Sequence, residues 1–309
     1  MTAPPDYFTE ITGGPAPAST KWLHAADNTR LRAAQWNGSR GTVWVFQGRT
    51  EYLEKYGPTI ERLTRAGWSV VAHDWRGQGL SDRPAKDPFM GDVRHFSDYQ
   101  RDVDCLLADP DFAGLPKPWV LLAHSMGGSI GLKMLAQSEA FNRAVFSAPM
   151  WDLPRPGVFN PLAETGLRLA ISLGFGQRYF VGGGPRNHTL TQPFALNPLT
   201  SDRENYDRLI HHLKTHPELG LGGPSMRWVR AALRQAKHLR RLDPPSLPIL
   251  TLLGTRELVV ATEAIKQHSA RQPNARLVEI SGARHEILIE TPERQAQAWE
   301  EIDGFLADL

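Results

Sequence analysis

Apolar residues fall along this chain in two rhythms. Thr42–Phe46, Ser69–His73, Trp119–Ala123, Arg143–Ser147, Leu247–Leu253 and Ala275–Ile280 are short, nearly continuous apolar runs. A strand points successive side chains to opposite faces, so such runs are apolar on both faces and belong in a parallel sheet covered by helices. Ahead of them, Lys21–Ala26 and Leu31–Asn37 alternate about a short turn and predict a hairpin. The second rhythm is helical. Ile60, Leu63 and Ala66 share one face of a helix predicted over Thr59–Ala66. Tyr99–Leu107, Met126–Ala136, Ala261–Ala270 and Pro292–Leu306 follow the same period. Strand and helix in alternation predict an α/β fold with a doubly wound, mostly parallel, eight-stranded sheet.

The alternation stops between residues 151 and 245. A structureless loop of that length is not expected in a domain. Leu162–Leu173 and Ser225–Leu239 carry helical periodicity around a Gly/Pro-rich middle, Gly182-Gly183-Gly184-Pro185. The segment is therefore expected to be a largely helical cap inserted into a core of residues 20–150 and 246–309. Residues 1–19, polar and rich in Pro, Gly, Ser and Thr, are expected to form a flexible arm.

Composition narrows the function classes. A chain of 309 residues with 41% hydrophobic and 22% charged residues can bury a large core. Lys+Arg 35 against Asp+Glu 33 excludes the strongly basic footprint of a dedicated nucleic-acid binder. The single Cys105 allows neither an intrachain disulfide nor a Cys-rich zinc site. Neither His-Glu-x-x-His nor a calcium loop occurs, so no metal or cofactor is expected. The N-terminal residues lack the basic and apolar regions of a signal peptide, and no apolar run is long enough to span a bilayer. A cytoplasmic protein is expected. Transient peripheral contact with the inner membrane face requires only a modest surface patch. Nothing in the sequence sets the oligomeric state.

The chemistry is concentrated in Val120-Leu121-Leu122-Ala123-His124-Ser125-Met126-Gly127-Gly128. An apolar strand runs into a serine, then into a helix opening with glycine, which is the context of a nucleophile elbow. The bland alternative is a serine N-cap. A nucleophilic serine needs a base and an orienting carboxylate, expected beyond later strands in the order serine, acid, histidine. Glu257 follows the Leu247–Leu253 strand, and His285 follows the last strand. Glu286, Glu290 and Asp152 are alternative acids. His124 is expected to pack or hydrogen-bond. The backbone N–H groups of Met126 and of Arg49, after the Thr42–Phe46 strand, are the expected oxyanion donors. The Arg49 side chain either reaches a polar or anionic part of a substrate or joins an ordinary surface ion pair.

These residues stand in a wider pattern. Asp74-Trp75-Arg76-Gly77-Gln78-Gly79-Leu80-Ser81 matches an Asp-x-Arg-Gly-x-Gly-x-Ser turn. With it occur Gly48-Arg49-Thr50-Glu51-Tyr52, Lys55-Tyr56, Asn197-Pro198-Leu199-Thr200-Ser201-Asp202, Gly222-Gly223-Pro224 before Trp228-Val229, and Gly282-Ala283-Arg284-His285-Glu286. From about Lys21 to Leu306 the chain resembles the α/β-hydrolase superfamily, and within it the lysophospholipase L2 and monoacylglycerol lipase-like group, also called serine aminopeptidase S33-type. Gln47, Ala123 and Glu257 depart from the group's usual histidine, glycine and aspartate. The resemblance implies a serine hydrolase without cofactor, acting on a small-molecule ester or a lysolipid. A short-chain carboxylesterase, an iminopeptidase using Glu164, Asp202 or Glu204, and a non-catalytic binding protein are the alternatives. Trp151 is a pocket candidate. Leu162, Leu167, Leu169, Leu173, Phe175, Met226, Trp228 and Val229 either line an acyl tunnel or pack the cap on the core.

Overall fold

A computed structural model describes residues 3–154 and 161–309. Eight strands form one sheet: β1 (Ser19–His24), β2 (Arg30–Trp36), β3 (Thr42–Phe46), β4 (Ser69–His73), β5 (Trp119–His124), β6 (Arg143–Ser147), β7 (Ile249–Gly254) and β8 (Ala275–Ile280). Their order is β1-β2-β4-β3-β5-β6-β7-β8. β2 pairs antiparallel with β1 and with β4, and every other pairing is parallel.

Alternation within the buried strands feeds two cores. Val43 and Val45 of β3 face one side, and Trp44 and Phe46 face the other. The first side is covered by α1 (Gly57–Arg65) through Ile60 and Leu63, and by Trp299 and Ile302 of a C-terminal helix, Pro292–Phe305. The second is covered by α2 (Ser97–Ala108) and α3 (Met126–Leu135), which bury Tyr99, Val103 and Ile130.

Between β6 and β7 lies the inserted helical cap, with α4 (Pro161–Ser172), α5 (Arg203–Thr215) and α6 (Met226–Leu239) as its longer helices. α6 buries Trp228, Val229, Ala232, Leu233 and Ala236 along one face and packs on α3. Ser225 caps it, accepting from the Trp228 amide at 3.0 Å and donating to Asp92 at 2.6 Å. α4 packs outside α6. Residues 155–160 of the expected cap, and the side chain of Leu162, lie outside the described residues. α7 (Thr262–Arg271) and α8, the Pro292–Phe305 helix, complete the longer elements.

The N-terminal segment departs from the expected arm. From Ala3 onward it is a packed strap. Thr20, Arg32 and Trp36 donate to the carbonyls of Pro5, Asp6 and Pro15 at 2.8, 3.0 and 3.0 Å. Ile11 is buried in a cluster with Tyr52, Leu213 and Leu219. Side chains of the first strands satisfy a backbone that composition alone marks as loop. Among the described residues, no helix is long and apolar enough to cross a membrane.

Candidate active site

β3 and β5 are paired in parallel up to Phe46 and Ala123, so the turns after them lie side by side at the carboxyl edge of the sheet. Ser125 follows β5 with φ 50° and ψ −116°, and α3 starts at the next residue. Positive φ in a residue with a side chain stores strain, of order 1–3 kcal/mol. The turn is held by the Ser125 amide on the Ser147 carbonyl at 3.1 Å and by the Met150 amide on the Ser125 carbonyl at 2.8 Å. The start of α3 presses on its neighbours. A Cβ at Gly127 would lie 2.1 Å from the Phe46 carbonyl oxygen, and one at Gly128 would lie 2.5 Å from the Pro149 Cβ.

Glu257 and His285, each just beyond a strand, converge on this serine. His285 Nε2 is 3.0 Å from Ser125 Oγ, and His285 Nδ1 is 2.7 Å from Glu257 Oε2. The carboxylate accepts from Nδ1–H, which leaves the Nε2 lone pair facing the hydroxyl. The other oxygen, Glu257 Oε1, accepts the amides of Val259 at 2.5 Å and Val260 at 3.2 Å. Burial favours the neutral acid, but His285 and the two amides outweigh it and hold the Glu257 carboxyl below its usual range. The cap buttresses the histidine loop. The Glu286 amide donates to the Leu199 carbonyl at 2.8 Å, and Asn197 Oδ1 accepts the amides of Leu199 and Thr200 at 2.9 and 3.0 Å.

The turn after β3 is equally constrained. The Gly48 amide donates to the Glu51 carboxylate, and the Thr50 amide donates to Gln78 Oε1 at 3.2 Å. Gln78 Nε2 donates to the Gly48 carbonyl at 2.8 Å. Gln47 is anchored through its side chain to the His73 carbonyl. The Arg49 amide between them has no hydrogen-bond partner among the described residues. Met126 opens α3, so its amide has no acceptor within the helix and sits at the positive end of the dipole. Two such donors beside a serine suit an anionic tetrahedral intermediate.

These groups border a cavity of about 240 Å³. Its apolar wall includes Met150, Leu153, Leu199, Leu209, Trp228 and Val260. Its polar wall includes Arg49, Glu51, Lys55, Asn187 and Glu286. A buried charge network backs that wall. Lys55 donates to Glu286 at 2.6 Å and also to Glu51, and Tyr56 donates to Glu51 at 2.6 Å. His124 donates through Nδ1 to the Ser147 carbonyl at 3.0 Å. Its Nε2 lies 3.4 Å from Glu286 and 3.6 Å from Glu51, ion-pair rather than hydrogen-bond contacts. Burial lowers the His124 pKa, but Glu286 and Glu51 outweigh it and raise it overall. Lys55 and His124 hold the Glu286 carboxyl well below its usual value. Ligand atoms of Glu51, His124 and Glu286 come within 4.8 Å of one another, a spacing a metal would accept. The Lys55 ammonium already pairs with both carboxylates.

The family model for serine aminopeptidase S33 matches residues 37–292. The chain belongs to that family. It is a serine hydrolase of the α/β-hydrolase fold. It is 31% identical over 280 residues to lysophospholipase L2 of Escherichia coli, covering 85% of this chain and 79% of that protein. It is 29% identical over 270 residues to a probable lysophospholipase L2 of Haemophilus influenzae, covering 86% and 84%. A soluble variant of the Saccharomyces cerevisiae monoglyceride lipase, solved with a substrate analog, superposes with a TM-score of 0.72 at 19% identity, covering 98% and 99%.

In this S33 hydrolase the pocket is made differently from the sequence expectation. Trp228 borders the cavity, but Trp151, Leu167, Phe175 and Met226 do not. Trp151 is fully buried, donating to the Gly128 carbonyl at 3.2 Å and packed on Phe146 and His268. Leu167 lines a separate groove with Leu233 and Lys237. Phe175 is 42% exposed beneath the Arg178 guanidinium, and Leu169 and Leu173 are exposed too. The reason is that α6 stands between α4 and the core, so α4 cannot reach the serine. α5 carries Leu209 and Leu213 into the cavity wall, and neither is among the residues the sequence pattern assigns to the pocket. The other acid candidates are occupied: Asp152 by Arg240 at 2.6 Å and Glu290 by the Arg284 amide at 2.7 Å. The Glu51–Lys55–Glu286 network was missed. Its signal was Lys55 four residues after Glu51 in the resemblance motif, but its third member comes from the far end of the chain.

Proposed function

We propose that the chain hydrolyses monoacyl carboxylic esters, lysophospholipids or monoacylglycerols, through an acyl-serine intermediate. The reading is carried by the serine–imidazole–carboxylate line, with contacts of 3.0 and 2.7 Å, opening on a largely apolar cavity. His285 Nε2 takes the Ser125 proton as Oγ attacks the ester carbonyl. Glu257 holds the tautomer and balances the imidazolium. The amides of Met126 and Arg49 stabilise the oxyanion. The imidazolium returns its proton to the departing alcohol. Water, deprotonated by His285, then releases the fatty acid and restores the serine.

Residues 151–245 act as a cap that selects the substrate, through Leu199, Leu209 and Trp228. An aminopeptidase would need a carboxylate open to a substrate ammonium. Glu51 and Glu286 are committed to Lys55 and Glu164 to Lys237, Asp202 caps α5 through the Asn205 amide, and neither Asp202 nor Glu204 borders the cavity. Esters are therefore favoured over peptides. Exposed Leu169, Leu173 and Val181 on the cap suit brief contact of a cytoplasmic protein with a lipid surface. The test is release of fatty acid from acyl esters of graded chain length by the wild type and by Ser125→Ala, with an aminoacyl amide as control. Ser125→Ala should lose turnover by roughly 10⁴-fold or more while staying folded. Near-wild-type hydrolysis by that variant would sink the mechanism. A flat response from two-carbon to twelve-carbon acyl chains would remove acyl-chain selection by the cap, and release from short esters alone would make the chain a short-chain carboxylesterase.

A further inference from the structure

The Arg49 guanidinium is held in place yet has no counter-ion among the described residues. Its Nη2 donates to the Gly222 carbonyl at 2.6 Å, and its carbon lies 5.2 Å from the Trp228 ring centre. Gly91 makes room for it, because a Cβ there would lie 2.5 Å from Nη2. Nε is buried without a hydrogen-bond partner among the described residues. The ionisable groups that bear on it are the phenols of Tyr99 and Tyr179, and burial pushes its pKa down to about 10. Nearby acids are engaged elsewhere: Asp92 with Arg227 and Ser225, Asp87 with Tyr179, Glu51 with Lys55. The contrast with Arg32 is direct. That arginine is fully buried where Arg49 is half-buried, and it is met by Asp74 at 2.6 Å and Glu54 at 2.7 Å.

A partly desolvated cation, with one nitrogen buried and unpartnered, costs free energy unless an anion meets it. Here the cation borders the cavity that holds Ser125. We propose that the Arg49 side chain is the headgroup subsite, receiving the phosphodiester of a lysophospholipid while the backbone of the same residue serves the oxyanion. A guanidinium fork suits phosphate oxygens. In a lysophospholipid the acyl ester and the phosphodiester sit on one glycerol unit, so one residue beside the scissile carbonyl can meet both. The assignment rests on the ester reading above and selects among its substrates.

The test compares kcat/KM for octanoyl lysophosphatidylglycerol and octanoyl monoacylglycerol, both below their micelle concentrations, in wild type, Arg49→Gln and Arg49→Lys. The ratio of phospholipid to neutral ester should fall about 10- to 100-fold in Arg49→Gln. Arg49→Lys, which keeps the charge, should recover part of it. Glycerophosphoglycerol should inhibit wild type more strongly than Arg49→Gln, and more strongly than inorganic phosphate does. A ratio within twofold of wild type, or an equal loss on both esters, overturns the subsite. Inhibition by inorganic phosphate equal to that by glycerophosphoglycerol overturns the headgroup assignment. A wild type silent toward both esters refutes the ester reading itself.

Discussion

Replacing Glu257 by Gln changes one atom of a carboxylate whose two oxygens have different duties. Oε1 accepts the Val259 and Val260 amides, and Oε2 accepts from His285 Nδ1. A glutamine has one acceptor oxygen, so it must choose. With its carbonyl on the two amides, its NH₂ points at His285. Nδ1 then becomes the acceptor, Nε2 carries the proton, and Ser125 has no base. With the side chain flipped, the histidine tautomer is kept, but two amides face an NH₂ donor. Each buried orphan costs about 1–3 kcal/mol, so the unproductive orientation is favoured by roughly 2–6 kcal/mol. That corresponds to a factor of roughly 30 to 20,000. The loss of negative charge beside the forming imidazolium adds to it, and we expect kcat to fall about 10³- to 10⁴-fold. The assay is steady-state release from one soluble monoacyl ester, with thermal melting to show that the fold persists. Nitrogen NMR of the His285 ring should find the proton on Nε2 in the variant. A kcat within tenfold of wild type, or a proton still on Nδ1, would refute the reasoning.

Two further expectations concern stability. Ser125→Gly removes the side chain at φ 50°. It should melt above Ser125→Ala by about 2–4 °C, from about 1–2 kcal/mol of relieved strain after the unfolded-state cost of glycine. Equal melting temperatures would mean that the turn is not strained. His73, buried in β4, has its pKa pushed down to about 3 by burial alone. Its folded pKa lies below the unfolded value near 6.5, so the unfolded chain binds more protons and stability falls as pH drops from 6.5 toward 3. Urea titrations should find a loss of roughly 2 kcal/mol between pH 7 and pH 5 from this residue. His73→Gln should shrink the total loss by that amount, and an unchanged loss would rule the residue out.

What the sequence by itself determined was local or topological. Strands buried on both faces read as unbroken apolar runs, and a parallel sheet places every strand end that is followed by a helix at one edge. Ser125, Glu257 and His285 could therefore be named as candidates from their positions just past strands, and the Arg49 and Met126 amides as candidate donors from the turns they occupy. The tertiary structure alone decided the pocket and the charges behind it. Periodicity identifies the apolar face of a helix but not its neighbour. Leu167 and Trp228 therefore look alike in sequence, and only the fold separates them, because α6 lies between α4 and the core. The strap before β1 is polar in composition, yet its carbonyls meet side chains of β1 and β2, contacts that no local pattern encodes. Lys55 and Glu286 are 231 residues apart, and only the assembly of the sheet, which brings the segments after β3 and β8 to one edge, makes them partners. Whether Arg49 has a counter-ion is likewise a property of its surroundings. A charge in a sequence carries no partner with it, and burial, which sets the cost of lacking one, exists only once the chain has folded.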